Sequence, residues 1–377
     1  MILKTFKKTR VSISANKSFW VVFLFMAYAC SSPSDIDEQV EVQEVSGMVK
    51  VSRTSNSSAL QWLSEYDFFQ PPIHLLKPNS QVFPYALQVP LFSDYADKDR
   101  FIYLPENGLI EYSDREVMEF TEGTVIIKNF SFPGDGIGYL DGRKIIETRL
   151  LEKKEGEWLT HSYIWNEDQT DAVLSFSGAD VPIQTTLSDG RSLDFTYSVP
   201  SAVQCKSCHL LNDKITPIGP TARQLNSTFD YGEVAGEMNQ LEYWSSYFGL
   251  NIPDEIDSLP RMNHYRSTDI DLLARAYLDI NCGHCHRDGA PARNSGLNLH
   301  FYNQDMYSLG IMKAPVAAGK GSGGLKHDIV PGSPNESILV YRMSSRDPGA
   351  MMPEVGKSLV HHEGVELIAS WIEGMNN

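Results

Sequence analysis

"CGHCH", residues 282–286, is the stretch on which the reading of this chain turns. Two cysteines and two histidines fall within five residues, and the pattern has a second copy, "CKSCH", at 205–209. In a helical turn, residues i, i+3 and i+4 share a face. Two thiols on that face can form thioethers with the two vinyl groups of one haem. The histidine that follows then lies beneath the macrocycle, with its imidazole on the iron. The spacing makes Cys205 and Cys208 the attachment pair of a first haem, with His209 as proximal ligand. Cys282 and Cys285 attach a second, with His286 beneath it. Two haem c groups are the expected cofactors.

Two other chemistries compete for the same residues. The cysteine pairs together could bind zinc through four thiolates. The stretch between Cys208 and Cys282 is much longer than the roughly 15–20 residues of a zinc ribbon, and zinc gives no reason for a histidine after each pair. A redox dithiol normally opens a helix in a thioredoxin-like βαβ context, whereas here a helical pattern precedes the second motif. His284 occupies a variable position, offset from the face of Cys282, Cys285 and His286. It is expected as a surface or loop residue.

The far-side ligand decides what such irons do, since Met/His ligation raises the potential and suits electron transfer. "MMPEVG" at 351–356 places a methionine before a proline, in a loop ahead of the last helical pattern. Met352 is therefore the expected distal ligand of the second haem. Met351 competes with it, and a soft loop hydrophobe is the alternative role. Arg342 suits a haem carboxylate or a surface ion pair. For the first haem the distal ligand stays open among Met238, Met262, His264 and His161.

The chain has 377 residues, 42% of them apolar and a net charge of −16. That length fits two or three domains with substantial cores. The acidity excludes a basic nucleic-acid footprint. It fits a solvated surface or the steering of a basic redox partner. Lys4, Lys7, Lys8, Arg10 and Lys17 form a basic start, followed by 11 apolar residues from Phe19 to Ala29. That run is shorter than the ~20 residues that span a bilayer, and fits an export signal. It ends at Ala27-Tyr28-Ala29-Cys30, which resembles a bacterial lipoprotein signal with Cys30 acylated. Ordinary cleavage nearby is the alternative. Cys30 and the two pairs account for all five cysteines.

Residues 1–29 thus read as a lipoprotein signal peptide and 30–57 as a flexible tether. A β-rich domain follows at 58–200, a first haem-binding region at 201–266 and a cytochrome c-like domain at 267–377. A short amphipathic helix is expected from Ser58 to Tyr66. Strands are expected at 124–132, at 144–166 as two strands turning near Gly156, and at 192–199 after Asp189-Gly190. "STDIDLLARAYLDIN" at 267–281, the segment after Pro334 and "EGVELIASWIEGM" at 363–375 carry helical spacing. The glycine-rich "AAGKGSGG" at 317–324 lacks the strand and helix of a nucleotide loop and reads as a plain loop. The fold class expected is multidomain α+β. A β-rich, sandwich-like N-terminal domain precedes mainly α cytochrome c-like haem domains.

With these residues in view, the chain resembles a family of exported bacterial dihaem c-type cytochromes. The likeness rests on "YALQVPLFSDYADKDRFIYLP", "YIWNEDQTDA", "CKSCH" followed by "IGPTARQLN", "RAYLDINCGHCHRDGAPARNSGL" and the stretch from "IVPGSPNESILVYRM" to "LIASWI". It implies two haems, a haem-free N-terminal domain and a C-terminal cytochrome c domain. The expected function is electron transfer in the cell envelope. Redox proteins are the expected partners, and a lipid anchor is the only membrane contact. The expected place is the outer membrane, facing periplasm or surface. The alternatives are a dihaem peroxidase-like oxidoreductase with one open-site haem, or a redox subunit whose β domain binds a carbohydrate or protein.

Overall fold

In a computed structural model of the chain, residues 41–45, 48–52, 59–134, 142–262, 269–316 and 318–375 are described. The signal segment, Cys30 and His264 lie outside them. The chain divides into two compact units, Met1–Asn56 and Ser57–Asn377. In the first, Glu41–Val45 and Met48–Ser52 pair as an antiparallel hairpin. All that follows concerns the second.

Six antiparallel strands form its main sheet: β1 Val82–Tyr85, β2 Asp97–Tyr103, β3 Val125–Pro133, β4 Arg143–Lys154, β5 Glu157–Trp165 and β6 Ala172–Ser175. Each pairs with its neighbours in sequence, so the sheet is a meander. β4 and β5 meet at Glu155 and Gly156, both with positive φ, as a two-residue hairpin turn requires. Leu63, Phe68, Phe69 and Ile73 cover one face, packing with Ile127, Leu150, Tyr163 and Trp165. The chain before them is not the amphipathic helix expected from Ser58 to Tyr66. Only a single 3-10 turn forms, Leu63–Tyr66, and Trp62 bridges to Val173 at the sheet edge.

The opposite face takes a hairpin, β7 Ala179–Thr186 and β8 Ser192–Val199. Its Ile183, Tyr197 and Val199 pack with Phe130, Phe132 and Ile146. The β-rich expectation for the N-terminal region therefore holds, with a two-stranded hairpin as the second layer.

The mainly α cytochrome c-like half is not found. The described helices are α1 Ala202–His209, α2 Ala222–Leu225, α3 Gln240–Phe248, α4 Ile270–Leu278, α5 Ile338–Ser344 and α6 His362–Glu373. The longest has 12 residues, and loops and small hairpins fill the remainder. The cause is local: between α4 and α5, polar side chains take over the hydrogen bonds that a helix would make. Asn303 donates to the Asn298 carbonyl, while the Asp305 carboxylate accepts from Tyr307 and Ser308 amides.

One helical core does form. Leu273 and Tyr277 of α4 meet Ile368, Trp371 and Ile372 of α6. A Cβ at Gly364 would stand 2.2 Å from the Tyr277 hydroxyl, so only glycine lets α6 come this close. The loop between β1 and β2 stitches this core to the sheet. Val89 enters the core, and its amide and carbonyl both bond the Gln224 side chain. Asn281 accepts from the Phe92 amide. The buried Asp94 carboxylate accepts from the amides of Ser358 and Leu359 at 2.7–2.8 Å.

Candidate functional site

The first motif is the helix α1. Ser201 and Gln204 close a capping box at its start, each side chain bonding the other's backbone amide. The helix docks on the sheet with the Cys205 sulfur 3.9 Å from the Ser162 hydroxyl of β5. Burial pushes the Cys205 thiol up. After His209 the chain folds back, Leu210–Leu211 pairing with Lys214–Ile215, which delivers Thr216 to His209. The Thr216 amide donates to the His209 carbonyl at 2.7 Å, and the Thr216 carbonyl meets His209 Nδ1 at 2.8 Å. A carbonyl only accepts, so Nδ1 carries the proton and Nε2 keeps its lone pair. Burial, then the positive Lys128, pushes the imidazole down to about 4 and keeps it neutral.

The second motif leaves α4 through a π-type turn, Asp279–Gly283. Cys285 and His286 amides donate to the Cys282 carbonyl, closing the helical turn that the motif needs. Gly283 is more than a spacer: a Cβ there would lie 3.1 Å from the Leu299 carbonyl. His286 Nδ1 meets the Ser295 hydroxyl at 2.9 Å, and that hydroxyl donates to the Ala292 carbonyl at 2.8 Å. Ser295 is therefore the acceptor, and His286 also presents a free Nε2. Burial holds it neutral, down to about 4. Cys282 packs against the helical core, where burial pushes its thiol up to about 12.

The two motifs touch. Cys208 lies against Cys285, which holds the Cys208 thiol low and is itself pushed up. His284 also bears on Cys208; it sits in the turn after Gly283, half-buried at the junction, which fits the loop position expected of it. Its Nδ1 lies 3.2 Å from the Ile280 carbonyl. A cleft open to solvent is lined by Cys208, His209, Gly283, His284, Thr221 and Arg223. Thr221 Oγ1 and Arg223 Nε are buried there without a hydrogen-bond partner among the described residues. The remaining Arg223 nitrogens bond Asp279 and the Arg115 carbonyl, tying α2 to the second motif.

The loop carrying Met352 borders the second motif. Glu354 bears electrostatically on Cys285, Arg342 on His286 and Lys357 on Cys282. Arg342 clamps this loop: its Nε donates to the Ala350 carbonyl at 2.9 Å, and its carbonyl accepts from the Met352 amide at 3.1 Å. Met351 bonds Asp347 through its amide instead.

The described candidates for the first distal ligand, His161, Met238 and Met262, do not converge on His209. His161 shares the sheet face of Tyr163 and Trp165, opposite to Ser162 and Cys205. Met262 is buried in the helical core, and Met238 packs on the cluster around Trp244. Among the described residues no three His, Cys, Asp or Glu side chains converge on a cation site, so the four-thiolate zinc alternative is not assembled. Each pair of thiols followed by a neutral histidine with its outer nitrogen fixed does suit a covalent haem, since an iron-bound imidazole characteristically donates its other N–H to such an acceptor.

No family model, curated protein or solved structure matches this chain.

Spacing revealed the thiols and their histidines. It missed Thr216, Ser295 and Arg223, because a carbonyl acceptor, a lone serine and a paired arginine carry no motif.

Proposed function

We propose that this chain is an exported dihaem c-type cytochrome, an electron carrier of the cell envelope. Cys205 and Cys208 would hold one haem and Cys282 and Cys285 the other, with His209 and His286 beneath the irons. Met352 is proposed as distal ligand of the second. Each haem supplies a one-electron Fe(III)/Fe(II) couple when bound. The chain's own contribution is to anchor, orient and desolvate. One observation carries the reading: each cysteine pair is followed by a half-buried imidazole whose Nδ1 is hydrogen-bonded and whose Nε2 is left open. The Cys208–Cys285 contact supports two attachment edges that adjoin, as a relay needs.

Cys30 is proposed as the lipid anchor on an outer membrane, with redox proteins as partners. The cleft beside His209 favours a second reading, a peroxidase-like oxidoreductase with an open position at the first haem. The decisive experiment is expression with a c-type maturation system, denaturing electrophoresis with haem staining, and intact mass. Two haem additions per chain are expected, and a haem-free chain with bound zinc refutes the reading. Cyanide then separates carrier from enzyme: two unreactive low-spin haems fit the carrier, one reactive high-spin haem the enzyme. Cys30→Ser is expected to release the protein from membranes, and retention refutes the anchor.

A further inference from the structure

The sheet carries a row of positive charges that its own fold does not neutralise. Strand register sets Arg100 of β2 opposite Lys128 of β3, Lys128 opposite Arg149 of β4, and Arg149 opposite Ser162 of β5. Directly paired residues share a face, so three cations stand side by side on the face against which Cys205 docks. Lys98, two residues before Arg100, adds a fourth. The carboxylates that face the row are Glu147, engaged by Arg149 and the Tyr197 hydroxyl, and Asp94, which bears on Lys98 but is already held by the Ser358 and Leu359 amides. Arg100 and Lys98 reach only backbone carbonyls, of Lys98 and Ala96. Lys128 has a cation–π contact to Phe130 at 5.5 Å. Among the described residues, none of these three has an ion pair.

Like charges opposite one another repel, and desolvated cations without partners are costly; Arg100 is buried, and Lys98 and Lys128 are half-buried. Burial first, then mutual repulsion, pushes Lys128 down to about 7 and Lys98 well down. The arginines around the cleft differ. Arg115 pairs with Asp114, Arg223 with Asp279 and Arg287 with Glu116. The surplus is on the sheet. Neighbouring strands lie about 4.8 Å apart, so Arg149 stands one strand from Ser162 and Arg100 three strands, about 14 Å, from it. The row starts at the Cys205 sulfur and leads away from it. A haem bears its two thioethers on one side and its two carboxylates on the other.

We infer that Lys128, Arg100 and Lys98 form the seat for the two carboxylates of the first haem, which gives the β-rich half its role. This rests on the dihaem reading above. It assigns one dianionic ligand to a half-buried surface whose charge lacks one.

The test uses the holoprotein with Lys128→Met and Lys98→Met, and with Lys128→Arg as the conservative control. Intact mass first counts the haems, and a wild-type chain without two overturns the dihaem reading and this proposal with it. With two haems attached, potentiometric titration is expected to show one midpoint lowered in either Met variant and the other unchanged. A cation beside the carboxylates favours the reduced iron, so its loss favours the oxidised one. A tenfold shift in that one-electron equilibrium is expected, or 59 mV. The propionate-bending bands of the resonance Raman spectrum should shift in the Met variants, and the potential should recover in Lys128→Arg. Unchanged potentials and bands overturn the assignment. So does a wild-type melting temperature that inorganic phosphate or succinate raises in the holoprotein but not in Lys128→Met, which would make the seat one for a free anion.

Discussion

Lys313→Met probes the brace behind His286. Lys313 is 3% exposed, and its ammonium donates to the carbonyls of Ser295 and Ala314 and to Asp328 Oδ2, at 2.8, 3.3 and 3.2 Å. Methionine keeps the length and removes all three bonds. Asp328, 7% exposed, is then a buried carboxylate without its ion-pair partner. Breaking such a pair costs about 3–5 kcal/mol, a large share of the ~5–15 kcal/mol that holds a domain together. Burial already pushes the Asp328 carboxyl up, opposed mainly by Lys313. Without the ammonium it rises further. A carboxyl raised in the folded state contributes most stability below its unfolded value and loses it as pH rises through the folded value. The deficit should therefore shrink in acid and grow toward neutrality. Urea unfolding followed by tryptophan fluorescence measures it. The double variant Lys313→Met/Asp328→Leu should recover more than half of the loss, because an apolar pair can replace a buried ion pair at little cost. A loss below about 1 kcal/mol at neutral pH, or a double variant no better than the single, refutes the reasoning.

Three further outcomes follow from the geometry. Gly364→Ala should destabilise by about 1–3 kcal/mol in the same assay, since its Cβ meets the Tyr277 hydroxyl at 2.2 Å and α4 and α6 must part; wild-type stability would place the helices further apart. His361 stacks on Phe92 at 4.2 Å and bonds the Tyr277 hydroxyl at 3.0 Å, and burial pushes it down to about 4. A histidine depressed on folding loses its contribution as pH falls, here from 6.5 toward about 4, so His361→Phe should flatten the stability curve in that window. A variant curve parallel to wild type would contradict this. If the proposed dihaem reading holds, Met352→Ala should convert one haem to a different spin state in the ferric absorption and EPR spectra, and unchanged spectra would move the ligand elsewhere.

The strands were legible because β3, β4, β5 and β8 carry dense β-branched and aromatic runs bounded by glycine turns. α4 and α6 were legible from their apolar stripes. What misled was extrapolation from those two helices to a helical domain. The loops between them are held by Asn and Asp side chains on nearby backbone groups, and such bonds leave no period in the sequence. The segment before Tyr66 failed for a related reason: its apolar residues serve a sheet face and not a helix stripe. The site divides the same way. Both Cys-x-x-Cys-His motifs stand out by spacing, whereas their meeting at Cys208 and Cys285 depends on tertiary packing. His284 shows the limit, since helix offset says which way a residue leans and not what the fold puts there. The cation row was hidden because register joins residues from three separate strands.

The grip of Asp94 on Ser358 and Leu359 has a consequence for how such a chain can be divided. A carboxylate from the early loop holds a stretch more than 260 residues later, and Arg191 adds a second tie to Glu363. Cutting the polypeptide after residue 200 would strand Asp94 in one half and bare amides in the other. The two halves are accordingly not interchangeable modules: neither can be grafted onto another scaffold without carrying its counterpart.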